Sequence, residues 1–134
     1  MAKIPEDVVE SVVGEVSVKM SEPSYAQVAI GSFVQAHPDA GRFITAHLDE
    51  LGGGEGVMHA VFHAQVLNEC FTRHHGRALE PIGFGALDAA AKGDPVAGLA
   101  KRQPALSSYV VSNVDSEPLK KLLCLVGVAM DDAS

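Results

Sequence analysis

"GVMHAVFHAQVLNECFTRHHG", residues 56–76, carries four of the six histidines and one of the two cysteines in a chain of 134 residues. Val57, Ala60, Ala64, Leu67 and Phe71 recur every three to four positions. At about 100° per residue they share one side of a helix, whereas a strand would alternate every second residue. "GGGEG" at 52–56 makes a hinge before the segment, and Gly76 stops it. The spacing predicts one continuous helix over 56–75.

The same period extends in both directions. Pro38 opens a preceding helix that carries Phe43, Ile44, His47, Leu48 and Leu51. Before it, a helix runs from Tyr25 through Val28, Ala29, Phe33 and Val34 to about His37. Ser21-Glu22-Pro23 separates that helix from a first one, which starts at Pro5 and presents Val8, Val9, Val12, Val13, Val16 and Met20 as one broad stripe. Beyond Gly76, "RALEPIGFG" reads as an irregular connection with two apolar side chains turned inward. Shorter helices follow near 84–92 and 95–102, and two more start at Pro104 and around Ser116, the last ending near Met130. No segment sustains strand alternation. The reading is all-α: a single domain, 1–134, folded as a compact bundle of about seven helices with no sheet.

"QAHPDAGRFITAHLDE" (35–50) and "AKRQPALSSYVVSNVDS" (100–116) match at a spacing of 66 residues. Pro38 corresponds to Pro104, Phe43 to Tyr109, Ile44 to Val110, Leu48 to Val114 and Asp49 to Asp115, and a longer apolar helix follows each copy. Two related helix–Pro–helix–helix halves would account for this.

Composition bounds the function. At 47% apolar and 20% charged the chain has globular rather than disordered composition. A net charge of −7 argues against a nucleic-acid partner, which would need a basic face. The acidity is concentrated in residues 1–55, where nine acids face only Lys3, Lys19 and Arg42. That distribution suits a solvated face or a basic partner. "MAKIPEDVVE" lacks an apolar leader core, so no signal peptide is expected. The apolar run Leu122–Met130 is too short for a bilayer span of roughly 20 residues, so no membrane partner is expected. Cys70 and Cys124 sit far apart inside apolar patterns, which favours buried free thiols and a cytoplasmic location.

On the quoted helix, ideal geometry places His59, His63, Cys70 and His74 within roughly 80° of arc, joined by Glu55 one turn earlier. This row borders the apolar stripe. Histidines four apart can share a metal such as zinc, and His47 could reach the same place from the preceding helix, so His59, His63 and His47 are the candidate ligands. Ala60 stands where a zinc protease needs a general base, and no Glu-x-x-His pair of a di-metal bundle occurs. "SFVQAHPDAGRF" (32–43) resembles the corner between the second and third helices of globins. A haem globin would also need a proximal histidine later in the chain, and none follows His75, so the resemblance permits only a globin-like bundle without haem. Neither cysteine carries a nucleophile motif, and phosphate-binding and dinucleotide fingerprints are missing. Arg73, His74, His75 and Arg77 cluster where positive charge complements a helix C-terminus.

Two functions remain. The first is a soluble all-α interaction or regulatory module without catalytic activity or cofactor, homodimeric through surplus apolar surface on the first or last helix. The second is a bundle that binds a small molecule or metal in a pocket lined by Glu55, His47, His59, His63, Cys70 and His74.

Overall fold

Prolines and glycines divide the chain where local chemistry requires. A computed structural model describes residues 3–19 and 21–134. Among the described residues there are eight helices and no strand: α1 (Glu6–Lys19), α2 (Tyr25–Ala36), α3 (Pro38–Thr45), α4 (Gly54–His75), α5 (Phe84–Ala91), α6 (Pro95–Arg102), α7 (Pro104–Asn113) and α8 (Glu117–Ala133). Pro38, Pro95 and Pro104 each occupy a first helical turn, where the missing N–H would have no intrahelical partner. Met20, expected on the α1 stripe, lies outside the described residues.

The helix expected over 56–75 is continuous and begins two residues earlier. It closes on Gly76, whose φ of 71° is the left-handed conformation that favours glycine. The helix opened by Pro38 is shorter than its apolar pattern implied. After Thr45 the chain tightens: the N–H groups of His47 and Leu48 donate to the carbonyls three residues back, at 3.0 and 3.1 Å. Gly53 N–H then reaches back to Leu48 at 2.9 Å. His47, Leu48 and Leu51 therefore lie in turns, and the chain folds back so that Leu51 covers the first turn of α4. A β-carbon on Gly56 would stand 1.8 Å from the Leu51 carbonyl oxygen, so only glycine fits there.

α4 and α8 pack together at the centre, and the other helices divide between them. α1, α2 and α3 lie against α4, while α5, α6 and α7 lie against α8. Besides α4 with α8, α1 packs with α7 and α3 with α5 across the halves. In each group three shorter helices precede a longer fourth and pack against it. At the 66-residue spacing, Phe33 and Leu99, Ala40 and Leu106, and Ile44 and Val110 are all fully buried. A large–small pair in one half thus stands where two leucines stand in the other, which keeps volume nearly constant.

The residues before Pro38 and Pro104 join the halves. His37 and Gln103 have nearly the same backbone, φ −135°, ψ 72° and φ −137°, ψ 74°. Both side chains are buried. The Ile82 N–H donates to His37 Nδ1 at 3.1 Å, and His37 Nε2 donates to Asn68 Oδ1 on α4 at 2.8 Å. In the other half, the Ile4 N–H donates to Gln103 Oε1 at 2.8 Å, and Gln103 Nε2 donates to Asp131 Oδ1 on α8 at 2.8 Å. Ile4 and Ile82 each lie two residues before the first helix of their own half. Each half therefore grips the lead-in of the other.

The last helix uses its apolar surface internally. Every residue from Leu122 to Asp131 is buried, because α8 is a central helix with neighbours all round. The surplus expected of it does not exist. On α1, Val9 and Val12 are buried and Val8, Val13 and Val16 pack against the core, which leaves Val18 as the exposed valine.

The clasp yields a pH dependence with a definite sign. Burial lowers the His37 pKa, against a smaller opposing effect of its bond to Asn68. A group with a depressed folded-state pKa binds more protons when unfolded, so its stability contribution is complete above about pH 6.5 and is lost as pH falls below that value. Glutamine supplies the same acceptor and donor at the equivalent position. His37→Gln should therefore keep stability within about 1 kcal/mol near pH 8, the worth of one hydrogen bond. It should lose less stability than wild type on going to about pH 5.5. Urea midpoints for the two proteins check this; an identical acid loss would remove His37 from the account.

Candidate functional site

The row Glu55, His59, His63, Cys70 and His74 does not stay at one depth. Glu55 and His59 are exposed, His63 and His74 are half-buried, and Cys70 is fully buried. α4 is 22 residues long and meets α2, α8, α1 and α3, so a straight line along it leaves solvent, enters the core and emerges again. The boundary row expected from the helical wheel is corrected in this respect: Cys70 belongs to the core. Burial pushes its thiol up to about 12, with Arg73 opposing and Glu69 adding slightly. Cys124 is raised to about 11, again by burial first. Both cysteines are free, and neither is a thiolate near neutral pH.

The histidines have separate partners. His47 Nδ1 donates to the Phe43 carbonyl at 2.8 Å, one turn back. His63 Nδ1 and the Tyr109 hydroxyl on α7 share a hydrogen bond of 2.8 Å. The His63 pKa is lowered by burial and then by His59, which keeps the ring neutral. His75 stacks on Phe71 at 6.2 Å and meets His74 edge-on at 5.2 Å. Among the described residues no three His, Cys, Asp or Glu side chains form a group able to hold a metal ion, so His47, His59 and His63 are not brought together as one.

A polar crevice of about 200 Å³ lies between α1, α2 and α4. Tyr25, Gln65, Glu69 and Arg73 border it, and Arg73 pairs with Glu15. Gln65 Nε2 donates to Glu69 Oε1 at 3.2 Å, and Asn68 Nδ2 donates to Gln65 Oε1 at 3.5 Å. Asn68 holds His37, so a chain of hydrogen bonds runs from the crevice to the clasp. The sequence offers no functional reading of Gln65, Asn68 or Glu69, nor of the pairing between His37 and Asn68. The signal available for them was the match itself, which aligns His37 with Gln103, each able both to accept and to donate.

Two grooves repeat with the halves. One, of about 280 Å³, is lined by Phe43, His47, Ala91 and Leu122 between α3, α5 and α8. The other, of about 380 Å³, is lined by Val9, Val13, Tyr109 and Asn113 between α1 and α7. Tyr109 and Asn113 lie 66 residues after Phe43 and His47, and Val13 holds the place in α1 that Ala91 holds in α5. The α1–α7 groove stands where the histidine row meets α7, through the Tyr109–His63 bond.

Comparison with family models, curated proteins and solved structures finds no match for this chain. Among the described residues no helix is long and apolar enough to cross a membrane.

Tyr109→Phe tests the anchor. It deletes one hydroxyl and leaves half-buried His63 Nδ1 without its hydrogen-bond partner, so unfolding free energy should fall by about 1–2 kcal/mol. The fall should be smaller in a His63→Phe background, where the hydroxyl has already lost that partner. Equal losses in both backgrounds, from urea denaturation, would show that the two side chains are not coupled.

Proposed function

We propose that this protein is a small all-α interaction module without catalytic activity, which pairs with a second copy through the outward face of α1. The observation that carries this reading is the make-up of that face. Val18 is 74% exposed, the most exposed large apolar side chain among the described residues. Glu10, Ser11, Gly14, Glu15 and Lys19 surround it in a shallow groove. A β-carbon on Gly14 would touch nothing within 4 Å, so a second helix can approach closely there.

The face is complementary to itself. Two α1 helices crossing antiparallel about Gly14–Glu15 bring Ser11 opposite Val18 and Glu10 opposite Lys19 of the copy, each pair formed twice as two-fold symmetry requires. Among the described residues Glu10 forms no other ion pair. The patch is small, which fits a weak and reversible dimer. A cytoplasmic setting suits the two unpaired thiols, since reducing conditions keep them so.

Light scattering tests the pairing by charge exchange. Wild type should approach dimer mass at tens of micromolar, roughly the affinity of a small interface. Glu10→Lys and Lys19→Glu should each shift it to monomer, and the double variant should recover the dimer because the opposed charges are restored. A monomeric wild type, or a double variant no better than the singles, would remove α1 as the pairing surface.

A further inference from the structure

The two grooves differ in charge, and the difference assigns a partner to one of them. In the α3–α5–α8 groove, Glu50 is accompanied by Lys121 and His47. In the α1–α7 groove, Glu6 and Glu10 stand one turn apart on α1 and no lysine or arginine lines the walls. Glu6 can be explained as a first-turn acid that complements the helix dipole, but Glu10 lies beyond that turn. Between the carboxylates, Val9 and Val13 form an apolar floor with Tyr109. Tyr109 is 8% exposed and held by His63, so the floor is in place before anything binds.

We propose that the α1–α7 groove docks a basic amphipathic helical segment of a partner protein. An apolar side chain of the segment rests on Val9, Val13 and Tyr109, and lysine or arginine one turn away meets Glu6 and Glu10. Asn113 at the groove end offers polar contact to the segment's backbone. This surface is distinct from the Val18 face, although Glu10 borders both.

The test is an NMR titration of isotope-labelled Val18→Glu protein, whose α1 pairing face is disabled. The probe is a synthetic Leu–Lys amphipathic peptide, with its Leu–Glu counterpart as control. The Leu–Lys peptide should give saturable shifts at Val9, Val13, Ser108 and Ser112, and none at Ala91 or Lys121. The Glu6→Lys/Ser112→Lys variant should bind about tenfold more weakly, the order expected when one exposed charge contact is reversed and a second repulsion added. Added salt should weaken binding further. The Leu–Glu peptide should give no shifts. Shifts centred on the other groove, equal response to both peptides, unchanged affinity in the charge variant, or failure to saturate would each overturn the proposal. Because the titrated chain does not self-associate, any of these outcomes leaves the pairing through α1 to stand or fall on its own measurement.

Discussion

Two backbone N–H groups, those of Ile4 and Ile82, set the conditions for the whole arrangement. Each belongs to a segment that must enter the core to bury its isoleucine side chain, and neither segment is helical at that point. A buried N–H without an acceptor costs as much as a lost hydrogen bond or more. The acceptor comes from the opposite half in both cases, at the residue where two helices meet before a proline. That residue sits outside both helices, so its side chain can point inward while its own backbone caps them. Its N–H donates to the carbonyl four back, at 2.8 Å for His37 and 2.7 Å for Gln103, and its carbonyl accepts from Gly41 or Ser107. Proline follows because no N–H is needed there.

This exchange couples the halves more tightly than packing alone. Separating them would expose apolar faces of α4 and α8 and strand the N–H donors of Ile4 and Ile82 together with their acceptors on Gln103 and His37. Those costs fall due at once, which favours cooperative unfolding over independent loss of one half. The connection at 76–83 thereby becomes part of the core. Ile82 is anchored by its N–H as well as its side chain, and Leu79 packs beside it.

Helix periodicity and punctuation made most of the fold legible. The proline starts, the Gly76 stop, the four-residue spacing on α4 and the repeat at 66 residues all depend on local chemistry that one chain displays. The end of α3 was not legible, because turns that keep an apolar period look like helix until the closure of Gly53 on Leu48 is known. The central position of α8 was not legible either. A helix buried on all sides and a helix with a sticky outer face have similar composition, and only the neighbours distinguish them. The site suffered from the same ambiguity. A helical wheel gives angle but not depth, so Cys70 and His59 share a face on the wheel while one lies in the core and the other in water. Tyr109 could not be assigned to His63 without the packing of α1 against both α4 and α7.

What separates the halves is the location of charge. The interior positions correspond closely, yet Asn68 in the first half answers to Asp131 in the second, where Arg102 approaches the second carboxylate oxygen at 3.5 Å. A neutral amide suits His37 because the ring there is a neutral imidazole that donates one proton and accepts another. A carboxylate in its place would favour the charged ring and weaken the acceptor that Ile82 needs. Gln103 cannot change charge, so a carboxylate can serve as its partner, and Arg102, paired first with Asp132, also approaches that carboxylate at the end of α6. The neutral His37–Asn68 pair and the charged Asp131–Arg102 pair are thus two solutions to one requirement, a buried acceptor that stays an acceptor. The first leaves its half sensitive to acid, and the second ties a surface cation to the core.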